Sequence, residues 1–207
     1  MKKEKEKTGL YLPLVEQFYS IQGEGYHTGK AAFFIRVGGC DVGCSWCDTK
    51  FAWDPEYHEM THIDSIINAV IESGADSVVV TGGEPLMYNM DPLCKELKRI
   101  NITTYLETSG SHELSGQWDW ICLSPKKNLP PVKGICSLAG ELKVVIQNKD
   151  DLNWAEKYRA KVPDDCKIYL QPEWSKVKEI MPVLVEYVKH HTEWSISLQS
   201  HKYMGIP

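Results

Sequence analysis

Apolar positions along this chain fall into two periods. Residues 31–37 (AAFFIRV) form an unbroken apolar run with one charge near its end, the mark of a buried strand, and residues 10–20 (LYLPLVEQFYS) are apolar and partly extended. From residue 61 the period changes: Ile63, Ile66, Ile67, Val70 and Ile71 recur at steps of three and four, which predicts an amphipathic helix with Thr61 as N-cap and Gly74 as stop. Val78, Val79 and Val80 then predict a short buried strand ending in Thr81-Gly82-Gly83-Glu84-Pro85. Strand, polar turn and helix make one βα module.

That module recurs. Strands are predicted at 102–106 before Glu107-Thr108-Ser109-Gly110, at 118–123 before Ser124-Pro125-Lys126, and at 142–146. Two more lie at 168–170 before Gln171-Pro172-Glu173-Trp174 and at 194–198 before Gln199-Ser200-His201-Lys202. Helices are predicted near 93–100, 152–160 and 177–188, the last with a kink at Pro182. About six or seven parallel strands with polar groups at one rim predict an α/β fold: a partial, shortened TIM-type barrel, open on one side. The alternation alone leaves a doubly wound sheet as the alternative. With 207 residues the chain falls short of the roughly 250 of a complete eightfold barrel. No repeat, linker or low-complexity segment divides it, so the expectation is one domain over residues 10–207 behind a flexible tail, 1–9 (MKKEKEKTG).

Charge and composition narrow the function. A net charge of −5 and a pI near 5.8 leave no basic footprint for a phosphate backbone, so nucleic acid is disfavoured. No apolar run approaches membrane-spanning length, and the tail lacks a signal-peptide core, which predicts a cytoplasmic protein. The seven cysteines are odd in number, and three are clustered, which argues against a disulfide framework. Cys94, Cys122, Cys136 and Cys166 lie in or beside apolar segments and read as core residues or bystanders.

The remaining three form the chemical centre. Gly38 to Thr49 reads GGCDVGCSWCDT, so Cys40, Cys44 and Cys47 stand in a C-x3-C-x2-C spacing, with Gly38, Gly39 and Gly43 supplying turns. Structural zinc takes four ligands, usually from two separate CxxC pairs, and no second pair exists here, although a distant His could complete such a site. A cubane cluster can be held by three thiolates with one iron left open. Elsewhere, Arg36 interrupts a buried run, so its guanidinium must face a polar cavity or find an acid. Gln22-Gly23-Glu24-Gly25 is a polar loop able to approach a ligand or a plain surface turn. TGGEP matches no phosphate-binding loop.

The cysteine spacing resembles that of the radical S-adenosylmethionine (SAM) enzymes. In order along nearly the whole chain, QGEG, FIRVGGC, CDT, TGGEP, ETSG, SPK, ELK, QPE and the ending LQSHKYMGIP resemble the 7-carboxy-7-deazaguanine synthase family. The resemblance implies a lyase that converts 6-carboxy-5,6,7,8-tetrahydropterin into 7-carboxy-7-deazaguanine with loss of ammonia, in queuosine and 7-deazapurine biosynthesis. It implies a [4Fe-4S] cluster on Cys40, Cys44 and Cys47, and Mg2+ on the Thr49 hydroxyl. It places SAM against Trp46, Cys47, Asp48, Gly83, Ser124, Pro125, Lys126, Gln171, Pro172, Glu173 and Trp174. Substrate would meet Ile21, Gln22, Gly23, Glu24, Arg36, Thr81, His201 and Pro207. It further implies a homodimer and an electron donor such as flavodoxin or ferredoxin. The chain departs from some family members in its compact gap between Cys40 and Cys44, in ETSG where ETNG is common, and in Met204-Gly205 before the final Ile-Pro. Two rivals stay open on the residues alone: an activase for a glycyl-radical enzyme, which would want an exposed docking face, and a zinc-stabilised binding module.

Overall fold

The computed structural model describes residues 8–207, so most of the expected tail lies outside the described residues. The elements run β1 (Tyr11–Ile21), β2 (Ala31–Val37), β3 (Glu59–His62), α1 (Ile63–Ser73), β4 (Ser77–Gly82), α2 (Asp91–Arg99), β5 (Thr103–Thr108) and β6 (Trp120–Leu123). There follow β7 (Glu141–Ile146), α3 (Asp151–Arg159), β8 (Lys167–Pro172), α4 (Val177–His190), β9 (Ser195–Ile196) and α5 (Ser200–Met204).

Among the described residues all nine strands join one sheet in the order β3-β1-β2-β4-β5-β6-β7-β8-β9. From β2 to β9 every neighbour is parallel. The order of the parallel strands never reverses, so the switch point of a doubly wound sheet is missing and the partial barrel is the architecture. One face of the sheet is covered by helices. Ile66 and Val70 of α1 and Leu93 and Leu97 of α2 pack with Ile35, Val78 and Val80. Ala155 of α3 and Ile180 and Leu184 of α4 pack with Leu106, Leu142, Val144 and Leu170. Because strand side chains alternate, the intervening residues Phe34, Val79, Glu107, Lys143 and Gln171 face the other side, the lumen.

Two features lie outside the sequence pattern. β1 runs antiparallel to β2 and to β3, so the parallel barrel begins with an antiparallel edge. A register shift between Leu14 and Glu16 sets Glu16 opposite Arg36. The β1–β2 loop therefore leaves from the N-terminal end of the parallel strands and closes the lumen from below. Its Tyr26 stacks on Trp120 at 5.0 Å, its His27 on Tyr105 at 4.4 Å, and the Gly25 N–H donates to the Ser197 hydroxyl at 2.9 Å.

Some boundaries differ from the sequence expectation. Thr61 is not a helix cap: β1 captures it as a strand residue opposite Leu12, and His62 caps α1, its Nδ1 accepting the Asp64 N–H at 3.2 Å. The strand expected at 194–198 shrinks to Ser195–Ile196, with Trp194 buried in the core instead. Helix α4 runs on through Pro182 without a break.

Candidate functional site

A cavity of about 280 Å³ opens at the C-terminal ends of the parallel strands, slightly below the usual small-ligand range of roughly 300–1,000 Å³. Cys40, Cys44 and Cys47 line it from the loop after β2, and none of them is in a disulfide. This loop is pressed against the turn after β4. The Gly83 N–H donates to the Val37 carbonyl at 2.8 Å and the Glu84 N–H to the Gly39 carbonyl at 2.8 Å. A Cβ on Gly83 would lie 2.0 Å from the Gly39 oxygen, so only glycine allows the approach. Gly39 takes φ +97° and Gly43 φ +66°; Gly38 has an ordinary φ and is needed for closeness, since its Cβ would meet the His58 ring at 2.5 Å.

Glu84 locks the next turn to this one. It is 1% exposed and accepts from the Thr108 hydroxyl at 2.6 Å and from the Ser109 N–H at 2.8 Å. Outside the loop, Asp41 pairs with His112 at 3.0 Å and Asn128 donates to the Gly43 carbonyl at 2.8 Å. The three thiols are thus held by β4, β5 and β6 turns together.

The donor set fits an iron–sulfur cluster. Three unpaired cysteines share one cavity wall, and cluster ligation is thiolate work. Burial pushes the Cys40 and Cys44 thiols up from their ordinary value, so loading a cluster must release their protons. Among the described residues no three His, Cys, Asp or Glu side chains, these cysteines included, gather as a single ion's cage. Thr49 stands at the N-cap position of a short 3-10 turn, yet its hydroxyl caps nothing; it lies 3.4 Å from the Cys47 sulfur and lines the cavity.

Of the residues assigned to SAM by resemblance, Cys47, Asp48, Gly83, Ser124, Lys126 and Gln171 line this cavity, while Trp46, Pro125, Pro172, Glu173 and Trp174 do not. Trp46 lies beside it, its ring 5.5 Å from the Lys126 ammonium. Glu173 is buried and spends its carboxylate on capping its own turn, accepting from the Ser175 N–H at 2.9 Å. Trp174 is exposed under Lys202 and beside Tyr203. All eight residues assigned to substrate, Ile21, Gln22, Gly23, Glu24, Arg36, Thr81, His201 and Pro207, line the cavity. Arg36 meets both readings of its charge: it faces the cavity, and its Nε is paired with Glu16 at 2.7 Å.

Sequence reasoning missed Glu107, Lys143 and Gln199, which also line it. Lys143 is buried, and its ammonium lies 2.7 Å from Glu24 and 2.8 Å from Glu107. Burial alone would raise the Glu24 carboxyl, but the charge and hydrogen bond of Lys143, with one from Gln199, outweigh it and hold Glu24 at about 2. The signal for Lys143 was present: a lone cation in the buried run ELKVVI poses the same question as Arg36. Asp48 is paired with Lys202 at 2.6 Å, which ties α5 to the cysteine loop.

The chain is similar to known proteins along almost its whole length. The pattern of the Radical SAM superfamily matches residues 34–121. The 7-carboxy-7-deazaguanine synthase of Flavobacterium psychrophilum is 51% identical over 199 residues, 96% of this chain and 94% of that one. That of Synechocystis sp. is 44% identical over 94% of this chain and 93% of its own. Among solved structures, a crystal structure of QueE from Escherichia coli superposes with a TM-score of 0.81 at 28% identity, covering 97% of this chain and 99% of that one.

Proposed function

Because the chain belongs to the 7-carboxy-7-deazaguanine synthase family of radical SAM enzymes, we propose that it converts 6-carboxy-5,6,7,8-tetrahydropterin into 7-carboxy-7-deazaguanine with loss of ammonia, assisted by Mg2+. The observation that carries this is the single cavity onto which the three cysteines and a ring of paired acids and cations open together.

Cys40, Cys44 and Cys47 would hold the [4Fe-4S] cluster, which with SAM supplies the one-electron chemistry that removes a substrate hydrogen. The chain's own residues bind and orient. Phe18 and Phe34, stacked 5.2 Å apart, with Val79 and Val145, give the cavity apolar walls suited to the faces of a flat heterocycle. Glu24 and Glu107 offer carboxylate oxygens to the N–H edge of the pterin. Arg36 and His201 meet its carboxylate, a charge-assisted contact of roughly 1.5–3 kcal/mol. Thr49 would present its hydroxyl to Mg2+, a hard ion that accepts oxygen ligands and keeps waters. The electron donor would be a flavodoxin or ferredoxin, the assembly a homodimer and the compartment the cytoplasm. No helix among the described residues is long and apolar enough to cross a membrane.

The test is turnover. Protein reconstituted without oxygen, reduced, and given SAM, Mg2+ and the carboxypterin should release 7-carboxy-7-deazaguanine, read by mass. A brown, cluster-loaded protein that leaves the pterin unchanged would remove the substrate assignment. A colourless protein carrying zinc would remove the radical chemistry as well.

A further inference from the structure

Lys143 lies mid-strand in β7, where the pattern asks for an apolar residue, and its side chain is 5% exposed. A buried cation persists only if its partners are in place. Here they come from two separate elements: Glu24 from the loop that floors the lumen and Glu107 from β5. Each acid gives Lys143 its Oε2. The other oxygen of each is held by an amide, Glu24 Oε1 by Gln199 at 2.8 Å and Glu107 Oε1 by Gln22 at a long 3.4 Å. The amides are neutral donors, so a ligand with a stronger pair of N–H donors can take their places without disturbing the inner oxygens.

We infer that Lys143 is a positioning residue: by gripping the inner oxygens of Glu24 and Glu107, it keeps both carboxylates aimed, so that the cavity selects ligands with an amidine-like N–H edge. Two charged acceptors facing one cavity suit the 2-amino and ring N–H donors of a pterin or deazaguanine, which can donate to the outer oxygens of the two acids in place of the amides. The inference rests on the function proposed above and adds a residue that acts through its neighbours.

The surroundings support it. Burial alone would lower the Lys143 amine, yet the charges of Cys122, Glu107, Glu24 and Glu141 push it well up. Lys126 and His201 also act on this network, each set against Lys143. A neutral residue at 143 would leave the partly buried Glu24 and Glu107 with no facing cation from β7 and with their inner oxygens unheld. Glu24 would also rise, because Lys143 is what holds it down against burial, and a protonated acid is a poorer acceptor for an N–H edge.

The test compares two ligands, 7-carboxy-7-deazaguanine and its analogue lacking the exocyclic amine, titrated calorimetrically into the cluster-loaded, SAM-bound protein. Wild type should prefer the aminated ligand by ~10-fold or more. Lys143→Arg should keep most of that preference, and Lys143→Met should lose most of it while SAM affinity is unchanged. If Lys143→Met weakens both ligands by one factor and leaves their ratio alone, Lys143 only supports the fold and the inference is overturned. Should neutral variants not fold, wild type decides. The ligand ratio should stay flat from about pH 8 to about pH 6, because Glu24 is held at about 2, even though Glu141 changes protonation within that window and His201 lies beside it. A ratio that collapses over that window would show that Glu24 is not held as a carboxylate, and would sink the idea. Turnover by wild type with an unchanged ratio in Lys143→Met removes only this role; no turnover by wild type removes the function beneath it.

Discussion

Cys44 stands half-buried, with burial raising its thiol above the ordinary value and the charge of Lys126 opposing. Its side chain carries little of the hydrophobic core, so Cys44→Ala should give a folded protein that retains almost no iron or sulfide after reconstitution and makes no product. Full turnover by that variant would contradict the cluster assignment. Thr49→Ala removes a hydroxyl that caps no helix, so its loss should leave stability within about 0.5 kcal/mol and blunt the response of turnover to added Mg2+. An unchanged Mg2+ titration would move the ion elsewhere. Glu141, 3% exposed at the lumen floor, is raised from 4.5 to about 7 by burial, with the charge of Glu107 adding to it and Lys143 opposing. The folded protein holds this proton where the unfolded chain releases it. Its contribution to stability is therefore complete below 4.5 and is lost as pH climbs to about 7. Glu141→Gln should stabilise the protein by roughly 1–3 kcal/mol at about pH 8 and by much less at about pH 5, read from chemical denaturation at both. At this scale the sequence revealed most of the site. The cysteines announce themselves by spacing and Arg36 by a charge in an apolar run. Lys143 could have been found by the same rule, but its partners Glu24 and Glu107 lie 119 and 36 residues away, and no local pattern links them. The locking role of Glu84 was equally hidden, because its partners Thr108 and Ser109 belong to another turn.

Turns act on one another as units. The turn after β4 is packed directly on the cysteine loop, with the Gly39 oxygen where a Gly83 side chain would begin. Gly83→Ala must therefore push the two backbones apart, at a cost typical of overpacking, ~1–3 kcal/mol. The expected result is a lower melting temperature together with less iron bound per chain, since the displaced loop carries Cys40. Wild-type iron content and melting in Gly83→Ala would show that the close approach is not needed. The elements themselves were legible where one period ran long enough: α1, β2 and β4 are where their apolar patterns place them. Short elements were not. β3 is only four residues, Glu59–His62, with no apolar run, and it is a strand because β1 offers it an unpaired edge. The β1–β2 loop gave no sign that it would pass beneath the lumen. Its direction depends on β1 being antiparallel, which hydrophobicity does not encode.

An incomplete barrel leaves a gap between its first and last strands, and here the end of the chain fills it. β9 is two residues long, and beyond it α5 crosses back toward β1. The Ser200 N–H and hydroxyl both donate to the Gly23 carbonyl at 2.9 Å, Lys202 pairs with Asp48 at 2.6 Å, and the Ser20 hydroxyl reaches the Pro207 carbonyl at 3.5 Å. Gly23 is itself required at this seam, because a Cβ there would lie 2.2 Å from His201 Nδ1. The closing segment therefore brings three lining residues, Gln199, His201 and Pro207, to a cavity otherwise built by strands and their turns. Pro207 lines the cavity, so residues attached beyond it must begin at the cavity wall. A histidine tag on Pro207 should weaken binding of the carboxypterin by ~10-fold, the worth of one charge-assisted contact, and leave SAM binding and cluster content as they were. The same tag before Met1 should change none of these. Equal pterin affinity in the two tagged proteins, measured by calorimetry without oxygen, would mean that the terminus closes the gap without touching the ligand.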